Sequence, residues 1–186
     1  MRTFISVEIP DDIKKNIENL IEEFKKNLTP IKWVESRNLH ITLKFLGGTD
    51  DKKIENLCGL VGSIAKERGS FKVSIGGLGA FPTTKNPRVL WVGISDGAET
   101  LIKIAEDLEG RLLKEGYKEE EKEFSAHITI GRIKEKIDIQ ELEKHIDIKK
   151  DVDLGSFDAK YISVMKSTLT QTGPIYEEIK RINFGQ

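Results

Sequence analysis

Two tetrapeptides constrain this chain more than anything else in it: His40-Ile41-Thr42-Leu43 and His127-Ile128-Thr129-Ile130. Their histidines stand 127 − 40 = 87 residues apart, close to half of the 186 residues. Each tetrapeptide lies in an apolar, β-branched run, near 39–46 and 126–133, that reads as a strand. A strand motif that recurs at half the chain length implies that the unit around it recurs too. The expected fold is α+β: two pseudo-symmetric lobes of antiparallel sheet backed by helices, around a central cleft that carries both His-x-Thr motifs. Residues 1–186 are expected to form a single bilobal domain, for no low-complexity linker divides them.

The rest of the pattern fits strands alternating with amphipathic helices. Met1 to Val7 alternates like a strand, and Ile13, Ile17, Leu20, Ile21 and Phe24 follow helical spacing behind Asp11 or Asp12 as a cap, with Pro30 ending the region. Trp33-Val34 is extended, and a second helix is expected from about Asp50 to Lys66. Strands Phe71 to Leu78 and Val89 to Ile94 are expected to flank a loop holding Pro82 and Pro87. A third helix is predicted from about Ala98 to Lys114 and a short one around Gln140 to His145. Further strands are predicted near Val152 to Phe157, Tyr161 to Lys166 and Ile175 to Ile182.

Composition narrows the function. Thirty basic residues against 31 acidic ones leave a net charge of −1, so any contact with nucleic acid has to be local. A lone cysteine, Cys58, forms no intramolecular disulfide; it reads as a packing residue and points to the reducing cytoplasm. No run approaches the roughly 18 apolar residues of a membrane span, and none is expected.

In a strand, residues i and i+2 share a face, so His40 with Thr42, and His127 with Thr129, are expected to line the cleft while Ile41, Leu43, Ile128 and Ile130 enter the core. Histidine titrates near neutrality, and two facing one another supply an acid and a base in one step. The threonine hydroxyls can donate to phosphate oxygens. This set suits attack at phosphorus without a cofactor or a metal. A zinc site fails on count, because two histidines with no nearby cysteine leave too few ligands.

The chain resembles the 2H phosphoesterase superfamily, and within it the RNA 2′,3′-cyclic phosphodiesterases long called 2′-5′ RNA ligases. The resemblance runs end to end and is carried by Met1 to Val7, Lys32-Trp33-Val34, Leu39 to Gly47, His127 to Arg132, Lys166 to Leu169 and Gly173 to Tyr176. It implies hydrolysis of RNA 2′,3′-cyclic phosphodiester ends to 2′-phosphomonoesters, with His40 as proton donor and His127 as proton acceptor. RNA 3′ ends or small cyclic nucleotides are the expected substrates and a monomer the expected state. One departure is visible: Ser125-Ala126 stands where members of the family often have Lys-Pro.

Phe45 and Arg132 share an offset of five residues from their histidines. Arg132 is read as a fork that clamps phosphate oxygens. Phe45 is read equally as a stacking surface for a base and as core. The odd offset puts both on the wrong strand face unless the strand bulges, and a glycine precedes only Arg132. Lys166, Ser167 and Tyr176 read as rim or core, Trp33 and Trp91 as core, and His145 as surface. Two other readings of the same cleft are reversible 2′-5′ RNA ligation and a non-catalytic RNA-end or nucleotide-binding module. Proton transfer is what paired histidines offer over the permanent charge of Arg and Lys.

Overall fold

The computed structural model describes residues 1–185. The elements run β1 (Arg2–Glu8), α1 (Asp11–Lys25), β2 (Lys32–Trp33), β3 (His40–Gly48), α2 (Ile54–Lys66), β4 (Phe71–Thr83), β5 (Asn86–Asp96), α3 (Ala98–Lys114), β6 (His127–Arg132), α4 (Ile139–Lys149), β7 (Asp153–Ala159), β8 (Tyr161–Leu169) and β9 (Pro174–Asn183). Two antiparallel sheets result, in the orders β3-β1-β8-β9 and β2-β6-β5-β4-β7. The α+β architecture expected from the sequence is therefore present.

A shift of 87 residues lays β1 over β5, α1 over α3, β3 over β6, α2 over α4 and β4 over β8. Under that shift the order β3-β1-β8 becomes β6-β5-β4. The sheets are not successive halves of the chain. Strand β4, from the first half, pairs with β5, and β8, from the second, pairs with β1, so each sheet takes its third strand from the other half.

Helix stripes explain the core. Ile13, Ile17, Leu20, Ile21 and Phe24 of α1 and Leu101, Ile104, Leu108 and Leu112 of α3 are all buried, as are Ile41, Leu43, Ile128 and Ile130 on the sheet faces beneath the helices. Asn16 of α1 donates to the carbonyl of Leu154 at 3.0 Å and ties that helix to β7.

Several local expectations need correction. Asp11 and Asp12 do not cap α1. Extended Pro10 precedes the helix, and the two carboxylates occupy its first turn, where they oppose the positive end of the macrodipole. The predicted second helix is divided: Asp50 accepts from the Lys52 amide and caps a 3₁₀ turn, Asp51–Lys53, from which α2 continues. The fourth helix is longer than predicted, because Asp138 accepts from the Glu141 amide and starts it at Ile139. Pro82 and Pro87 are not in a loop. They face each other near the tip of the β4–β5 hairpin, beside a register shift, where a missing amide costs little of the ladder. His145 is not a surface residue: half-buried, it lies edge-on to Phe24 at 5.5 Å and within 3.3 Å of the Asn27 amide nitrogen, joining α4 to the end of α1.

Candidate active site

The two motif strands meet where the sheets meet. β3 is an edge strand of the first sheet, β6 lies next to the edge of the second, and their Cα atoms come within 8 Å of each other.

Register decides which side chains share the exposed face. Along β1 and β3 the partners are Glu8 with His40, Ser6 with Thr42 and Phe4 with Phe45; Leu43 is the extra residue of a bulge between Thr42 and Lys44. Along β5 and β6 they are Gly93 with His127, Trp91 with Thr129 and Val89 with Arg132, and Ile130 is the extra residue. The bulges stand at equivalent places, one residue after each threonine. Each reverses the alternation, so Phe45 joins His40 and Thr42, and Arg132 joins His127 and Thr129. From histidine to the fifth residue after it, burial is the same in both strands: half-buried, buried, half-buried, buried, buried, exposed. The restriction of a bulge to the glycine-bearing strand is thus overturned. Core packing of Phe45 is overturned as well, for it is 59% exposed.

A buried cation explains why a bulge forms after Thr42 without glycine. The extra residue turns Lys44 inward to 4% exposure, and the lysine is satisfied by the Lys118 carbonyl at 3.0 Å and the Glu109 carboxylate at 2.6 Å. Nothing in the sequence marks Lys44 as buried. Its partners lie 65 or more positions away in the chain, and no local pattern announces them.

Both histidines are held in one way. His40 donates from Nδ1 to the Asn38 carbonyl at 2.8 Å, and His127 from Nδ1 to the Ser125 carbonyl at 2.6 Å. A carbonyl only accepts, so each neutral ring keeps its proton on Nδ1 and leaves Nε2 free to take one. The contact to residue 125 is made by its backbone, which is why serine serves at that position.

Aromatic walls complete the site. Phe4 stacks on His40 with centroids 4.9 Å apart, and Tyr176 meets the same ring edge-on at 5.2 Å. His127 lies edge-on to Phe81 at 5.0 Å and tilted against Trp91 at 6.5 Å. Trp91 is therefore a half-buried wall of the site and not plain core, and Trp33 is likewise only half-buried, against Phe24. Phe4 and Trp91 differ by the same 87 positions as the histidines, and that shared offset is the signal in the sequence that pairs them. Tyr176 belongs to the site; Lys166 instead pairs with Glu177 at 2.8 Å on the rim.

Burial sets the electrostatics. It lowers the pKa of His40 to about 4, against the opposing pull of the Asn38 carbonyl. It also lowers that of His127, where the Arg132 guanidinium adds to the effect. The Tyr176 hydroxyl is pushed up by burial, while Arg132 pulls it down. Arg132 thus acts on His127 and also on the tyrosine that touches His40.

Known proteins resemble this chain along nearly its whole length. The family model described as LigT-like phosphoesterase matches twice, at residues 7–91 and 92–176. An RNA 2′,3′-cyclic phosphodiesterase of Methanocaldococcus jannaschii is 41% identical over 180 residues, 97% of this chain and 99% of the relative. One from Thermotoga maritima is 36% identical over 99% of this chain and 96% of its own length. Among solved structures, a Thermus thermophilus protein superposes over the whole of both chains with a TM-score of 0.82 at 23% identity. Escherichia coli LigT complexed with 3′-AMP gives 0.77 at 23% identity, over 100% of this chain and 98% of that one. Among the described residues no helix is long and apolar enough to cross a membrane. With the family model matched over nearly its whole length, this chain belongs to the LigT-like phosphoesterases of the 2H superfamily.

Proposed function

We propose that the protein hydrolyses the 2′,3′-cyclic phosphate at an RNA 3′ end to a 2′-phosphomonoester. The observation that carries the reading is the doubled histidine geometry: two rings, each fixed by an Nδ1–H bond to the carbonyl two residues upstream, each with Nε2 free. In-line displacement needs a base on one side of phosphorus and an acid on the other. His127 takes a proton from water as its oxygen bonds to phosphorus. The P–O3′ bond breaks, and His40 gives its proton to the departing 3′ oxygen. Water and one P–O bond are consumed, and a 3′ hydroxyl and a 2′-phosphomonoester are formed. Thr42 and Thr129 donate to the non-bridging oxygens, Arg132 offsets their charge, and Phe45 gives the base a surface at the rim.

Burial keeps His40 neutral in the free protein, so its acid proton has to accompany substrate. The cyclic phosphate carries a negative charge, and an anion beside the ring favours imidazolium. Acid and base are both side chains, so the step needs no metal. The lone Cys58 is in keeping with the cytoplasm.

The test is incubation with a short RNA ending in a 2′,3′-cyclic phosphate, with and without EDTA. A 2′-phosphate product in both is expected. Activity lost to chelator and restored by zinc or magnesium would overturn the mechanism.

A further inference from the structure

We propose that Lys25, Lys32 and Lys134, grouped around Arg132, form a second anion site that holds the RNA backbone on the 5′ side of the cyclic phosphate. The proposal rests on the RNA-end reading above and extends it from the reacting phosphate to the strand behind it.

The starting observation is a pair of like charges. β2 is short, yet it pairs with the end of β6 so that Lys32 stands directly opposite Arg132. Like charges so placed across an antiparallel pair destabilise it. Among the described residues neither cation forms a salt bridge, and nor does Lys134. An anion between them removes the repulsion.

Beside this pair is a cavity of about 560 Å³, bounded by the end of α1, the α1–β2 connection, β2 and the residues after β6. Its charged lining is Lys25, Lys32, Arg132 and Lys134 against Glu135 alone. Lys25 also pairs with Glu22 at 2.5 Å, so among the described residues Lys32, Arg132 and Lys134 are the lining cations in no salt bridge. On a chain of net charge −1 such a local excess is a departure from the rest of the surface. Half-buried Trp33 gives the cavity an apolar floor.

Arg132 belongs to both places. The bulge at Ile130 puts it on the face of His127 and Thr129, and it also lines the cavity. A ligand filling cleft and cavity together presents anionic groups in series with apolar surface between them. A single RNA strand does so, with its cyclic phosphate in the cleft and the preceding phosphodiester among the lysines. Because the cyclic phosphate sits at a 3′ end, the rest of the strand runs only in the 5′ direction. A cyclic mononucleotide fills the cleft alone, so the second site makes the protein selective for RNA ends over free cyclic nucleotides.

The test compares a tetranucleotide ending in a 2′,3′-cyclic phosphate with a 2′,3′-cyclic mononucleotide, across a salt series, in wild type and Lys32→Ala/Lys134→Ala. The ratio of kcat/KM for the two substrates should fall about tenfold in the double variant. Its dependence of log kcat/KM on log salt for the tetranucleotide should flatten by about 0.7 for each phosphate no longer neutralised. Lys103→Ala, on the outer face of α3, should keep the wild-type ratio and slope. An unchanged ratio, or equal losses on both substrates, overturns the proposal. Fluorescence anisotropy of the same labelled tetranucleotide reads the site without turnover. Weaker binding by the double variant supports the second site even if wild type cleaves neither substrate, an outcome that would sink only the phosphodiesterase reading; equal binding overturns it.

Discussion

Phe4 lies against His40 with ring centroids 4.9 Å apart and planes inclined by 29°, and this cover is part of the burial that holds the imidazole neutral. His127 is shifted in the same direction. Catalysis by one protonated and one neutral histidine peaks between their two pKa values, and both lie below the ordinary 6.5 in the free protein. The maximum of kcat/KM is therefore expected below pH 6.5. That of kcat should lie higher, because bound phosphate favours imidazolium. Initial rates with a cyclic mononucleotide from pH 4 to 9 check this, and a kcat/KM maximum above pH 7 would contradict it.

The same shift predicts how stability varies with pH. Between the unfolded value of 6.5 and the folded value of about 4, the unfolded chain takes a proton at His40 that the folded chain refuses. Stability is thus fully present above pH 6.5 and is lost as pH falls toward 4, by on the order of 2 to 3 kcal/mol from this group. His40→Gln should have a shallower loss over that window in urea titrations. Parallel curves for variant and wild type would show that His40 does not carry the effect.

The repeat of His-Ile-Thr was enough to read an α+β fold and to name both histidines, because strand alternation is local and the offset of 87 is visible in the chain. The side on which Phe45 and Arg132 emerge was not legible. It depends on bulges at Leu43 and Ile130, and the first is stabilised by the inward turn of Lys44 to Glu109 and the Lys118 carbonyl, partners that only folding brings near. The exchange of β4 and β8 between sheets was hidden for a related reason: burial on either sheet suits an apolar strand equally well, and pairing is decided by topology. Tyr176 read as rim or core because its contact with His40 joins residues 136 positions apart.

Gly79 gives a way to perturb one histidine through its wall. A Cβ there would collide with the Trp91 ring, which leans on His127. Gly79→Ala should force that ring to move and destabilise the fold by about 1 to 3 kcal/mol. Activity should fall at temperatures where the fold is intact by circular dichroism. Wild-type kcat with unaltered tryptophan fluorescence would show that Trp91 does not support His127.

Arg132 tests the role of a fork against that of a charge. Its guanidinium is exposed, on the cleft face, and close enough to shift both His127 and Tyr176. Arg132→Lys keeps the positive charge but loses the paired donors, and is expected to lower kcat/KM about tenfold, with Arg132→Ala lower still. A lysine variant with full activity would remove the bidentate role.

The assignment of donor and acceptor can be decided by changing the leaving group. The two histidines are fixed alike, by Nδ1 bonds of 2.8 and 2.6 Å to carbonyls two residues upstream, so local geometry treats them as equivalents. The difference has to come from which side of phosphorus each one serves. Alanine at either position should cost on the order of 10² to 10⁴ in rate on a cyclic phosphate, since each removes one proton transfer. A nitrophenyl phosphodiester expels an anion that leaves without a proton. If His40 is the donor, His40→Ala should recover most of the wild-type rate on that substrate. His127→Ala should remain slow, because water still has to lose a proton. The reverse pattern would exchange the roles. Equal recovery by both variants would mean that neither proton transfer is tied to one ring, and the division of labour between His40 and His127 would have to be abandoned.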